Sequence, residues 1–175
     1  AIRAKVVKPL AGLKVLTYYG CLFVRPAEIA MDDPENPISM DRIMEALGAE
    51  VIPWNYKTEC CGASLSACKA PVGYPMIQRI LDAAHASGAD CIVTACPMCM
   101  ANLDMRQAEI GKKVGHHYDM PVYYITELMG VAANLEPKAL GIARHFVPAE
   151  ALLKKVLAGG QPQAAQVVQS HGGEA

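Results

Sequence analysis

The sequence predicts a three-layer α/β domain, a parallel sheet with helices packed on both faces, and two observations carry that expectation. Short β-branched or apolar segments alternate along the chain with segments whose apolar residues recur at helical spacing. One of the short segments, Cys91 to Cys96, is almost wholly apolar, as a strand covered on both faces must be. Alternating strands and helices imply right-handed crossovers and therefore parallel neighbours. With 175 residues, 53% of them hydrophobic, the chain is long enough to bury one core. A single domain is expected over residues 1–158, followed by a flexible Gly-, Gln- and Ala-rich tail over 159–175.

The elements follow in order. Lys14 to Tyr19 is β-branched and aromatic and runs into Gly20-Cys21, which predicts a buried strand ending in a turn. Ile38, Ile43, Met44 and Leu47 recur at helical spacing, with Asn36 as the expected cap, Pro37 in the first turn and Gly48 as the stop. Glu50 to Trp54 reads as a second strand, leading through a polar loop to Glu59-Cys60-Cys61-Gly62. Pro75 to Ser87 puts Met76, Ile77, Ile80, Leu81 and Ala84 on one face and stops at Gly88, a second helix. The third strand, Cys91 to Cys96, opens through Cys96-Pro97-Met98-Cys99 into a long helix reaching Val114. Met120 to Ile125 is the fourth strand, and Thr126 to Leu135 and Ala149 to Leu157 are helical.

Composition narrows the class of partner. A formal net charge of −1 gives no electrostatic footprint for nucleic acid or an anionic membrane surface. No run approaches the roughly 18 apolar residues of a membrane-spanning helix. The first ten residues lack the apolar core and cleavage site of a secretory signal, which makes a cytoplasmic location the expectation. The first residue is alanine, as expected of a piece of a longer protein.

Seven cysteines is an odd number, too sparse for a disulfide-stapled miniprotein, so their spacing carries more than their count. Five of them, Cys21, the adjacent pair Cys60-Cys61, and Cys96 and Cys99, each follow a predicted strand. Carboxyl ends of parallel strands form one rim where ligands bind, so five thiols are expected to converge there. Thiols lose their protons to iron or zinc, and a Cys-x-x-Cys turn offers two sulfurs to one metal or to adjacent metals. Neighbouring side chains of an extended segment point apart, so Cys60 and Cys61 reach one object only if the backbone bends, as Gly62 permits, or if the object is larger than an atom. A multi-iron cluster fits this better than zinc, while a four-thiolate zinc site leaving one thiol spare stays open as the alternative. A thioredoxin-like use of Cys96 and Cys99 as a dithiol leaves the other three cysteines unexplained.

Tyr18-Tyr-Gly-Cys-Leu-Phe-Val-Arg-Pro26, Lys57-Thr-Glu-Cys-Cys-Gly-Ala63 and Ala95-Cys-Pro-Met-Cys99 resemble the cysteine-rich segments of the heterodisulfide reductase B-subunit family, flanking residues included. The resemblance runs from about Val15 to Leu135. It implies that Cys21, Cys60, Cys61, Cys96 and Cys99 ligate a noncubane [4Fe–4S] cluster that makes or cleaves a disulfide. It further implies a flavoprotein and a ferredoxin-like iron–sulfur protein as partner subunits. Family members look like two such domains, whereas this chain carries one motif and is similar to the C-terminal half. Relatives with the same signature resemble attachment subunits of succinate or fumarate dehydrogenases, which gives an electron-transfer or anchoring module as the alternative to disulfide chemistry, beside a zinc-stabilised structural domain.

Around the cysteines, Lys57, Arg25 and Lys69 are candidates to steer an anionic substrate or offset cluster charge, and Glu59 to relay a proton to a leaving thiolate. Cys68 and Cys91 lie outside the signature and read as structural, as do His116, His117 and the methionines Met98, Met100 and Met105.

Overall fold

The computed structural model describes residues 2–28, 30 and 32–159; the tail expected beyond residue 159 lies outside the described residues. Four parallel strands make one sheet: β1 (Lys14–Tyr18), β2 (Glu50–Val51), β3 (Cys91–Thr94) and β4 (Val122–Tyr124), in the order β2-β1-β3-β4. Tyr18 of β1 stands opposite Thr94 of β3, and Thr94 opposite Tyr124 of β4, so these strands end level and form a common rim.

Period-two alternation sorts the core into two faces. Val15, Cys91, Val93 and Tyr123 face one way, onto α1 (Ser39–Ala46), α6 (Ile125–Ala132) and α8 (Glu150–Gly159), with Met44, Leu128, Val131 and Leu153 filling the layer. Leu16, Tyr18, Ile92 and Val122 face the other, onto α3 (Ala70–Ala86), α4 (Pro97–Met105) and α5 (Gln107–Val114), through Ile77, Leu81, Leu103 and Ile110. All four residues of β3 are buried, as its apolar run requires. Two short helices, α2 (Leu65–Cys68) and α7 (Pro137–Leu140), complete the fold. Among the described residues no helix is long and apolar enough to cross a membrane.

Several elements differ from the expectation for identifiable reasons. The N-cap position of α1 is Ile38, not Asn36, and the helix start is satisfied from the preceding loop: the Asp32 carboxylate accepts from the Ile38 and Ser39 amides at 2.8 and 2.5 Å. β2 stops at Val51, although Ile52 still donates to Val15. Pro53 has no donor, and the Thr17 carbonyl takes the Trp54 indole N–H at 2.9 Å in place of a backbone amide. Helix α3 starts at Ala70 and carries Pro75 inside it. Sequence logic disfavours a helical residue before a proline, but the added turn packs tightly: a Cβ on Gly73 would lie 2.6 Å from the Ser66 amide nitrogen, so Gly73 lets this turn press against α2.

The single long helix expected after Cys99 is broken at Arg106 into α4 and α5. The buried Gln107 side chain explains the break. Its amide nitrogen donates to the carbonyls of Leu103 and Met120, both at 2.7 Å, and its oxygen accepts from the Met120 amide at 2.9 Å. A side chain thus takes the place of a helical backbone bond and ties the break to the start of the fourth strand.

Candidate metal centre

The rim is built from the loops that follow β1 and β3 and the loop that runs on from β2. Tyr19 and Gly20 both donate their amides to the Lys57 carbonyl, at 2.8 and 3.0 Å, which pins the turn carrying Cys21 to the loop carrying Cys60 and Cys61. Cys96 leaves β3, with its amide on the Thr94 hydroxyl at 3.4 Å, and Pro97 starts α4, which places Cys99 in the first turn of that helix.

Four of the five sulfurs are drawn together in two pairs. Cys21 Sγ lies 4.0 Å from Cys60 Sγ, and Cys61 Sγ lies 3.7 Å from Cys99 Sγ. The adjacent cysteines therefore serve different partners. Gly62 at φ +81 and Ala63 at φ +41 supply the bend behind them, and the Gly62 amide points back at Cys60 Sγ at 3.4 Å. Cys61, Cys96 and Cys99 are buried, while Cys21 and Cys60 are half-exposed, so the cluster of thiols has an inner and an outer side. Tyr18 lies beneath it, fully buried, with its hydroxyl donated to the Glu59 carbonyl at 2.5 Å. Burial first, and then the charges of Cys99, Cys61, Cys60 and Cys21, push the Tyr18 phenol far above its ordinary value.

Electrostatics within the inner pair are unequal. The Cys99 hydrogen bond holds the Cys61 thiol down to about 6 against the effect of burial, helped by the Ala63 amide and by Asn102. Cys99, as donor to Cys61 and desolvated, is pushed up. Cys21 is raised by burial and by the neighbouring Cys60. The two sulfurs of the inner pair are thus shifted in opposite directions.

Sequence reasoning missed the residue that organises this loop. Asn102, 3% exposed, donates its side-chain amide to the Cys61 carbonyl at 3.1 Å, to Cys61 Sγ at 3.4 Å and to the Ala63 carbonyl at 3.0 Å, and accepts from the Ser66 hydroxyl at 2.6 Å. The signal was present in the spacing, since Asn102 stands three residues after Cys99 on the same helix face.

Lys57, a candidate to meet an anionic substrate, has a different place. Its ammonium is buried against the Asp41 carboxylate and donates to the Pro37 carbonyl at 3.1 Å. Asp41 also accepts from the hydroxyls of Thr17 and, at 3.2 Å, Tyr19, so Lys57 is a pin between α1, β1 and the cysteine loop and its charge is already neutralised. Arg25 is paired with exposed Glu35 at 3.1 Å. Glu59 stays exposed and lines a cavity of about 360 Å³ together with Cys60, Tyr56, Asn55, Met76 and Arg79. Cys68 is exposed and bonded to its own helix, Cys91 is buried at the start of β3, and His116 packs against Tyr118 and His85.

The donor set has the spacing of metal ligands. The separations of 3.7 and 4.0 Å are close to the ~3.8 Å between two thiolates on one tetrahedral metal with 2.3 Å bonds. Each pair thus fits two ligands of one metal atom, which makes two metal positions, with Cys96 buried as a fifth thiol.

Comparison with known proteins finds relatives over this part of the chain. The cysteine-rich CCG domain family matches residues 15–104, which span all five cysteines. The membrane anchor subunit of 8-methylmenaquinol:fumarate reductase from Wolinella succinogenes is 34% identical over 152 residues, 86% of this chain and 54% of that protein. The B-subunit of ferredoxin:CoB-CoM heterodisulfide reductase from Methanosarcina mazei is 33% identical over 158 residues, 89% of this chain and 52% of that protein. A heterodisulfide reductase B-subunit-like protein from Archaeoglobus profundus is 27% identical over 162 residues, 89% of this chain and 54% of that protein. The chain spans about half the length of the curated relatives it matches. With its doubled cysteine, its glycine-bent loop and its Cys-Pro-Met-Cys turn all inside the matched segment, the chain belongs to the cysteine-rich CCG domain family.

Proposed function

We propose that this chain is the iron–sulfur redox domain of a heterodisulfide-reductase-type protein, corresponding to its C-terminal half, with Cys21, Cys60, Cys61, Cys96 and Cys99 as ligands of a noncubane [4Fe–4S] cluster. The observation that carries the reading is the division of Cys60 and Cys61 between two sulfur pairs, which supplies ligands to more than one metal atom. Such a cluster supplies electrons singly to the sulfurs of a disulfide. The chain's own residues do the rest. Asn102 holds the Cys61 loop in register, Tyr18 closes the site from below, and half-exposed Cys21 and Cys60 form the side that a substrate or partner reaches. Glu59, exposed beside Cys60, is placed to pass a proton to a departing thiolate. The resemblance to the heterodisulfide reductase B-subunit family brings in a flavoprotein and a ferredoxin-like iron–sulfur protein as partner subunits, and on this reading residues 1–158 are one domain with a cytoplasmic location.

The test is iron, acid-labile sulfide and zinc per chain on protein purified without oxygen, in the natural sequence and in Cys61→Ala. About four iron and four sulfide, lost or altered in the variant, are expected of this cluster type. One zinc, no sulfide and an unaffected variant would replace the redox reading by a zinc-stabilised structural domain.

A second reading has its own support, the 34% identity to a fumarate reductase membrane anchor subunit. On it the domain relays electrons or holds an assembly together and meets no disulfide. Disulfide reduction by the assembled complex, compared between natural Glu59 and Glu59→Gln, separates the two, since an electron relay is indifferent to a proton donor at the outer sulfur.

A further inference from the structure

The cavity of about 360 Å³ has the size of a small-molecule pocket, and its lining includes Cys60, a member of the outer pair. Its charged groups are one of each sign. Glu59 comes from the cysteine loop, where its carbonyl is fixed by the Tyr18 hydroxyl, and Arg79 comes from α3. Among the described residues neither takes part in an ion pair, with the other or with anything else. Arg79 uses its Nε on the Pro75 carbonyl at 3.4 Å, which leaves its two terminal nitrogens for a bidentate acceptor. The Tyr56 hydroxyl and the Asn55 amide add neutral donors and acceptors.

A ligand with anionic charge only would gain Arg79 and face Glu59; a cation would gain Glu59 and face Arg79. A molecule carrying both charges satisfies both walls. We infer that this cavity binds a small zwitterionic sulfur compound, a thiol, thioether or disulfide of the α-amino-acid class, with its carboxylate on Arg79, its ammonium on Glu59 and its sulfur toward Cys60. The orientation of the sulfur rests on the redox reading of the cysteines; the recognition of the two charges does not. Arg79 had no mark in the sequence, because it lies on the exposed side of a helix far from every cysteine motif, and only the packing of α3 against the cysteine loop brings it to the rim.

The test uses thioethers, which cannot exchange with a disulfide or strip metal as free thiols do. S-methylcysteine, 3-(methylthio)propionate and 2-(methylthio)ethylamine are titrated calorimetrically into metal-loaded protein, natural and with Arg79→Gln or Glu59→Gln. S-methylcysteine is expected to bind about two- to fivefold more tightly than either singly charged analogue, the size of effect of one exposed ion pair. Arg79→Gln should reduce its affinity to that of the amine, and Glu59→Gln to that of the acid. Equal affinity for all three compounds, no binding by any, or an order unchanged in the variants would overturn the inference. Iron and sulfide, measured on the same samples, report the redox reading separately: full metal with no discrimination sinks only the inference, and discrimination without iron sinks only the redox reading.

Discussion

Gly20 and Cys99 are in contact distance across the rim: a Cβ on Gly20 would fall 2.8 Å from the Cys99 sulfur. The turn after β1 therefore leaves room for the sulfur of the inner pair, and the absence of a side chain is what makes that room. Gly20→Ala adds two penalties, a positive φ of 63° costing about 1 kcal/mol for an L residue, and the clash. Gly12→Ala is the control, since Gly12 has φ +81 but nothing within 4 Å of an added Cβ. Gly12→Ala should lose about 1 kcal/mol of stability in urea unfolding, and Gly20→Ala more, by the added clash. Only Gly20→Ala should lose bound metal, because only there does the methyl displace Cys99.

Asn102 offers the second prediction. Asn102→Ala removes a side-chain amide whose two hydrogens are shared among three acceptors, and leaves the Ser66 hydroxyl and two carbonyls of the cysteine loop without their partner in a buried site. A cost of about 2–3 kcal/mol follows for unsatisfied buried groups, along with partial metal loss. Asn102→Asp keeps the shape, yet it removes the donors and sets a carboxylate against the Cys61 sulfur. Metal occupancy should fall further in Asn102→Asp than in Asn102→Ala, measured as iron and sulfide per chain. The reverse order would mean that shape, and not the donated hydrogen bonds, holds the loop.

What was legible in the sequence was whatever local periodicity and strand ends encode. The layered parallel fold followed from the alternation of elements, and the convergence of the cysteine segments on one rim followed from their places after strands. The division of Cys60 and Cys61 between Cys21 and Cys99 was not legible, because it depends on the positive-φ bend at Gly62 and Ala63 and on how far α4 approaches the β1 turn. Lys57 illustrates the opposite error. Next to a cysteine motif a lysine reads as a functional charge, and only the fold shows Asp41, sixteen residues upstream, waiting for it. The early start of α3 was hidden for the same reason, since Pro75 argues locally against a helix that Gly73 stabilises by packing.

The Lys57–Asp41 pair carries the third prediction. Both side chains are close to nine-tenths buried, and both make further hydrogen bonds, so removing one partner strands a charge. Lys57→Met should cost about 3–5 kcal/mol, seen as a fall in the urea midpoint. Lys57→Met with Asp41→Leu should cost clearly less than the sum of the two single changes, because no charge is then left buried. If the double variant is as unstable as that sum, the two residues act independently and the pin does not exist.

The last prediction concerns pH and the buried contact of His145 with Glu127, 2.9 Å between Nε2 and a carboxylate oxygen that also belongs to the residue holding the start of α6. Burial alone lowers the imidazole's affinity for a proton; the Glu127 hydrogen bond and charge, with Asp104 adding, outweigh it and leave His145 raised above its ordinary value. A group whose folded value exceeds its unfolded value binds more protons in the native state, so its contribution is complete below the unfolded value of about 6.5 and is lost as pH rises through the folded one. His145's share of the unfolding free energy, read as the difference between the natural protein and His145→Gln in urea titrations, should therefore decline from about pH 6 upward through the neutral range. His145→Gln keeps a donor for Glu127 but cannot titrate, so in it this share is absent while the stability at high pH changes little. A difference that stays constant with pH would assign the pH dependence to another group.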